Sequence, residues 1–167
     1  MAPIHLHETI DARSCSMHIE KSLPSAFPES NLEDWLRARQ IDTVTVAGYT
    51  INNCVDSTIK HAFHAGFAIE LLCDATGTFS YANAAGVASA EEIHRAFCVV
   101  VHSRFGAVVT TQTWIDAVGA GLPLQHDTPI ASNRRALKLL HEAPHDGRSP
   151  HRPNATEILM QREDSQP

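Results

Sequence analysis

The sequence lacks any apolar run approaching the roughly 20 residues that cross a bilayer, and its N-terminus has no basic flank followed by an apolar stretch. It also lacks a surplus of positive charge, since 13 lysines and arginines stand against 19 aspartates and glutamates, a net charge of −6. These absences argue against a membrane anchor, a secretion signal and a nucleic-acid partner. We therefore predict a cytoplasmic protein with no membrane or nucleic-acid partner.

The sequence is equally poor in metal and disulfide motifs. The 11 histidines form no His-Glu-x-x-His pattern, and no acidic residue is spaced to complete a site with His5 and His7 or with His61 and His64. We predict exposed or helix-capping histidines, no metal and no cofactor. The four cysteines include no C-x-x-C pair, which is typical of free thiols in a reducing compartment. They are Cys15, Cys54, Cys73 and Cys98.

What the chain does contain is short apolar runs that alternate with helical patterns. This alternation predicts an α/β domain with a parallel sheet. The predicted strands are 43–47, 67–73 and 107–110, and the predicted helices are 32–36, 53–65, 89–103, 113–118 and 132–142. Residues 76–86 are predicted to form a loop. We assign residues 1–143 to one domain and the polar, proline-containing residues 144–167 to a mobile tail.

The sharpest motif is Gly-Tyr-Thr-Ile-Asn-Asn-Cys-Val at residues 48–55. It places Cys54 where a strand turns into a helix, and there the helix dipole and the unpaired amide groups favour a thiolate. The same amides can bind the oxyanion of a tetrahedral intermediate. On these grounds alone, a nucleophile and a small apolar filler at the junction are equally good interpretations.

Three segments together resemble the isochorismatase-like cysteine hydrolases, a family that includes isochorismatases, nicotinamidases and N-carbamoyl amidohydrolases. They are Ile-Glu-Lys-Ser-Leu-Pro-Ser-Ala-Phe at 19–27, the motif at 48–55 continued by Asp-Ser-Thr, and Leu-Cys-Asp-Ala-Thr at 72–76. The resemblance covers about residues 4–121. It implies a three-layer, doubly wound parallel sheet of strand order 3-2-1-4-5-6 and commonly a homo-oligomer.

The resemblance also implies the roles of particular residues. Cys54 would be the nucleophile, and Lys21 the ammonium that stabilises its thiolate; the competing interpretation of Lys21 is a solvated surface lysine. The amides of Thr50 and Cys54 would form the oxyanion hole, with a cis peptide bond between Tyr49 and Thr50. The implied substrate is a small molecule with an amide, carbamoyl or vinyl-ether group. We expect its specificity to depend on loop side chains such as Phe79, Tyr81 and Asn83.

Two departures from the family pattern are visible. The family's catalytic aspartate ends an apolar strand before the lysine segment, whereas only Asp11 precedes Lys21 here. We therefore expect an N-terminally incomplete sheet, with a strand at 17–20 that has lost its neighbours, an exposed edge at 44–47, and little turnover. The alternative is an inactive remnant or an oligomerising binding module. The second departure is Ile51, which occupies a position where the family usually has threonine.

Overall fold

A computed structural model describes residues 14–142 of the chain. Within this range the chain forms five helices and five strands, joined in part by two π-helical turns, Ile51–Val55 and Val101–Phe105. The helices are α1 (Leu32–Ala38), α2 (Asp56–His64), α3 (Ala90–Val100), α4 (Thr111–Ala120) and α5 (Pro129–Glu142). The strands are β1 (Thr43–Tyr49), β2 (Ala68–Gly77), β3 (Tyr81–Asn83), β4 (Gly86–Ala88) and β5 (Ala107–Val109).

The main sheet is parallel and has the order β1-β2-β5. Each strand is connected to the next through a helix, α2 between β1 and β2 and α3 before β5. Both crossovers step across the sheet in the same direction, and right-handed connections then place α2 and α3 on one face. The predicted α/β fold with a parallel sheet is confirmed.

On the second face of the sheet, α4 packs against β2. Along β2, Ile69 and Leu71 are buried in the core cluster that includes residues of α2, so the intervening Glu70 points to the opposite face. There the Trp114 indole of α4 donates a hydrogen bond of 2.7 Å to the Glu70 carboxylate. Helices therefore lie on both faces, and the predicted three layers are confirmed.

Local chemistry sets the start of α3 at the position that the sequence predicts. The Ser89 hydroxyl accepts a hydrogen bond from the Glu92 amide (3.2 Å), and the Glu92 carboxylate accepts one from the Ser89 amide (2.9 Å). This reciprocal pair satisfies two amides at the helix terminus that have no partner within the helix. The Ser89 hydroxyl also donates a hydrogen bond to the Glu92 carboxylate (3.0 Å). The bonds that this carboxylate accepts from the Ser89 amide and hydroxyl lower the pKa of Glu92, because both stabilise the ionised form.

The structure corrects several predictions about the strands. Residues 17–20 form no strand, and 76–86 are not a simple loop, because β2 continues to Gly77 and β3 pairs with β4 in a hairpin. The run 43–47 is a strand, but only Val46 on it is buried. Within residues 14–142, β1 has β2 on one side and no strand on the other, so its far edge is open, as the resemblance implies. The predicted helix from residue 53 begins instead as the π-helical turn.

Asp11 and the predicted tail at 144–167 lie outside the described residues. None of the helices within 14–142 has the length and apolar character needed to cross a membrane.

Candidate active site

The first component of the site is the thiol of Cys54, which β1 delivers to the carboxyl end of the sheet. The strand ends at Tyr49, the Tyr49–Thr50 peptide bond is cis as the resemblance implies, and the π-helical turn follows. Ile51 and Val55 anchor this turn in the core, whereas Cys54 between them is half-buried. The threonine-to-isoleucine departure at residue 51 therefore places an apolar side chain in the core.

The backbone around Cys54 is wound more loosely than an α-helix. The Thr50 carbonyl accepts hydrogen bonds from the amides on either side of the nucleophile position, those of Asn53 and Val55, both at 3.2 Å. Single π-helical turns of this kind are frequent at functional sites. The turn also lies at the N-terminus of α2, where the partial positive charge of the helix favours an anion.

The second component is Lys21, which lies 33 residues before Cys54 in the chain. Its Nζ donates to the Leu23 carbonyl (3.0 Å) and the Pro24 carbonyl (2.9 Å), and it lies 3.4 Å from Cys54 Sγ. An ammonium has three donors, so the two carbonyls use two of them and the third is available to the sulfur. The two side chains that the resemblance pairs are therefore brought together, although Lys21 itself is exposed.

The segment after Lys21 is fastened to the helix that follows Cys54. The Ala26 amide donates to Thr58 Oγ1 (3.1 Å), and the Phe27 ring stacks on the His61 ring with centroids 4.8 Å apart. Phe27 is itself buried in the core. Lys21 is thus held by contacts with α2 rather than by a strand at 17–20. The stacked position of His61 gives it a packing role.

Asp74, in the third segment that resembles the family, is not hydrogen-bonded to the Cys54 thiol. Asp74 contacts the start of α4 instead, where it accepts hydrogen bonds of 2.8 Å from the Thr111 amide and the Thr111 hydroxyl. These two bonds lower the pKa of Asp74. Within residues 14–142, no carboxylate is hydrogen-bonded or ion-paired to Lys21 or Cys54. Asp11, the one aspartate before Lys21 in the sequence, lies outside this range.

In the described part of the chain, no group of three or more His, Cys, Asp or Glu side chains is arranged to hold a metal ion. All four cysteines are free thiols. Cys98 is chemically distinct among them, because burial, with a smaller contribution from Cys73, raises its pKa to about 11. It therefore stays protonated at neutral pH and serves as an internal reference for Cys54.

Sequence reasoning missed a side-chain link between the Cys54 turn and the end of β2. The Thr78 hydroxyl donates a hydrogen bond to the Asn52 side-chain carbonyl. Next to this link, the rings of Tyr49 and Phe79 meet edge to face, with centroids 4.9 Å apart. Phe79 was a candidate for specificity, but nothing in the sequence indicated that Tyr49 or Asn52 would contact its segment, because both contacts depend on the register of β1 and β2.

Comparison with known proteins gives consistent results. The model of the isochorismatase domain matches residues 3–113. A crystal structure of a Burkholderia xenovorans LB400 protein assigned as an isochorismatase superposes with a TM-score of 0.80 at 52% identity, covering 82% of this chain and 66% of that one.

Two curated relatives are also similar. The uncharacterized isochorismatase family protein YrdC of Bacillus subtilis is 31% identical over 99 residues, which are 59% of this chain and 53% of YrdC. The N-carbamoylsarcosine amidase of an Arthrobacter species is 47% identical over 49 residues, 29% of this chain and 19% of the amidase. The chain thus spans at most about half the length of these two relatives. The domain match and the shared fold establish that this chain belongs to the isochorismatase family.

Proposed function

We propose that this chain is a cysteine hydrolase that cleaves a small substrate through an amide, carbamoyl or vinyl-ether group, with Cys54 as the nucleophile. The observation that carries the proposal is the 3.4 Å contact between Lys21 Nζ and Cys54 Sγ at the start of α2. The name of the similar Arthrobacter protein, an amidase for a carbamoyl compound, favours C–N cleavage among these chemistries.

In the proposed reaction on an amide, the Cys54 thiolate attacks the carbonyl carbon and a C–S bond forms. The oxyanion is bound by the amides of Thr50 and Cys54, while Lys21 holds the sulfur in its anionic form. The C–N bond then breaks and the amine leaves with a proton. Water attacks the resulting thioester, a C–O bond forms, and the C–S bond breaks to release the acid and restore the thiolate.

The proton transfers need a general acid and base, which the resemblance assigns to an aspartate. A positioned group of this kind contributes roughly 10²–10⁴-fold to the rate. Asp11 is the one aspartate that the sequence has before Lys21. If Asp11 does not fill this role, we expect little turnover, because protonation of the leaving amine and activation of the water both lack their proton-transfer group.

The proposal is tested by ammonia release from a panel of N-carbamoyl compounds and primary amides, with intact-mass detection of an acyl group on Cys54. We expect the Cys54→Ala variant to lose both signals and the matched Cys98→Ala variant to keep them. Asp11→Asn tests the general acid and base: ammonia release should fall if Asp11 fills this role and stay unchanged if it does not. Ammonia release that survives in Cys54→Ala would show that another group is the nucleophile.

A second candidate function is an oligomerising, non-catalytic module. It is favoured by β1, whose outer edge carries no partner strand within residues 14–142 and whose side chains are mostly exposed. Open strand edges promote pairing with another chain. Light scattering coupled to size exclusion distinguishes the two functions when it is combined with the ammonia assay: a stable homo-oligomer without Cys54 acylation favours the module, and acylation in either oligomeric state favours the enzyme.

A further inference from the structure

Two large aromatic side chains stand exposed at the carboxyl end of the sheet. Tyr49 and Phe79 leave 54% and 58% of their surfaces accessible, yet their rings meet edge to face at 4.9 Å and 87°. Removing an aromatic ring from water lowers the free energy, because the ring is large and apolar. An ordered pair of rings left in solvent is therefore typical of a surface that receives a ligand.

The pair is built into the same strand end that carries the nucleophile. Tyr49 immediately precedes Thr50, at which the Cys54 turn begins, and it is paired in register with Gly77 of β2. A Cβ atom at Gly77 would lie 2.9 Å from Tyr49 Cε2. The missing side chain of Gly77 therefore makes room for the Tyr49 ring to lie over the strand.

A second link fixes Phe79 relative to the thiol. The preceding residue, Thr78, is hydrogen-bonded through its hydroxyl to Asn52, two residues before Cys54. Phe79 is thus attached to the nucleophile's turn on one side and to Tyr49 on the other. By contrast, Tyr81 and Asn83 lie in β3, which pairs with β4.

We propose that Tyr49 and Phe79 form an apolar wall of the substrate site and select substrates with a flat, apolar group beside the scissile carbonyl, such as an aryl ring. This inference rests on the proposed function. Edge-to-face aromatic contacts add about 0.5–1.5 kcal/mol beyond burial of their area, which corresponds to a preference of about 2- to 12-fold for an aryl over a small alkyl group.

The preference is measured with two alkylating probes of the same chemistry, iodoacetamide and its N-phenyl form, iodoacetanilide. In both reactions the thiolate displaces iodide, so the ratio of their rates at one cysteine reports the fit of the phenyl group. The full chain is labelled, and each cysteine is followed by peptide mass spectrometry. We expect the ratio of the iodoacetanilide rate to the iodoacetamide rate at Cys54 to exceed the same ratio at the exposed Cys15 by about 2- to 12-fold.

Three variants test the wall. Phe79→Ala, and Gly77→Ala by displacing the Tyr49 ring, should each lower the ratio at Cys54 to that of Cys15, whereas Val87→Ala, an exposed change on the adjoining hairpin, should leave it unchanged. An unchanged ratio in Phe79→Ala would overturn the inference. The iodoacetamide rate itself tests the nucleophile and the ratio tests the wall, so either can fail without the other.

Discussion

Replacing Lys21 by methionine removes the positive charge beside Cys54 and keeps most of the apolar stem. At the observed separation of 3.4 Å, two unit charges attract by about 1.2 kcal/mol in a dielectric as high as that of water. This lowest value is appropriate because Lys21 is exposed. We expect a loss of about 1.2 kcal/mol to slow iodoacetamide labelling of Cys54 by up to about 8-fold at pH 7.

Lys21→Met also removes the hydrogen bonds that Lys21 donates to the carbonyls of Leu23 and Pro24. A control must therefore distinguish the loss of charge from a change in the conformation of this segment. Ser22→Ala serves this purpose, since it removes a 2.7 Å hydrogen bond to Glu29 from the same segment without changing the charge near the sulfur. Lys21→Arg keeps the charge and should retain most of the rate. Equal slowing in Lys21→Met and Ser22→Ala would refute the electrostatic explanation, as would a wild-type rate in Lys21→Met.

Three further predictions concern stability and reactivity elsewhere in the fold. Asp74→Ala should lower the Tm at neutral pH, because it removes the acceptor of both Thr111 hydrogen bonds. The pKa of Asp74 in the folded protein is below 3.8. The Tm difference between wild type and variant should therefore be complete above pH 3.8 and should shrink as the pH falls below that value. A Tm difference that is the same at pH 7 and pH 2.5 would contradict this. Cys98, with a pKa of about 11, should be labelled more slowly than Cys15 at every pH from 5 to 9. Equal labelling rates would show that the Cys98 thiol is not buried. Ile59→Ala, at a fully buried position, should lower the free energy of unfolding by about 2–5 kcal/mol in urea titrations, and a loss under 1 kcal/mol would contradict the core assignment.

Much of the fold could be predicted because its signals are local. The β-branched run at 43–47 ending at Gly48, the apolar run at 67–73 and the capping residues Ser89 and Glu92 each specify a short element through neighbouring residues. Alternation of such elements is sufficient to predict a parallel α/β sheet.

What the sequence could not supply depends on contacts between distant residues. The extent of burial of β1 could not be predicted, because apolar composition indicates a strand but not which neighbours cover it. The β3–β4 hairpin has only three residues in each strand, which is too short for a periodic pattern.

The candidate site likewise combines a local signal, which could be predicted, with contacts between distant residues, which could not. A cysteine at a strand-to-helix turn could be recognised from the residues around Cys54. Its pairing with Lys21 came from the family resemblance, because no spacing rule links positions 33 apart. The Asn52–Thr78 link needed the β1–β2 register, which shifts between Val46 and Gly48.

The most direct test of the central claim is the initial rate of iodoacetamide labelling at each cysteine of the unmodified chain at pH 7. Cys54 is half-buried and Cys15 is exposed, so accessibility alone favours Cys15. The account predicts the opposite order, with Cys54 labelled faster than Cys15 because Lys21 and the start of α2 stabilise its thiolate. A Cys54 rate equal to or below that of Cys15 would contradict the assignment of Cys54 as an activated nucleophile.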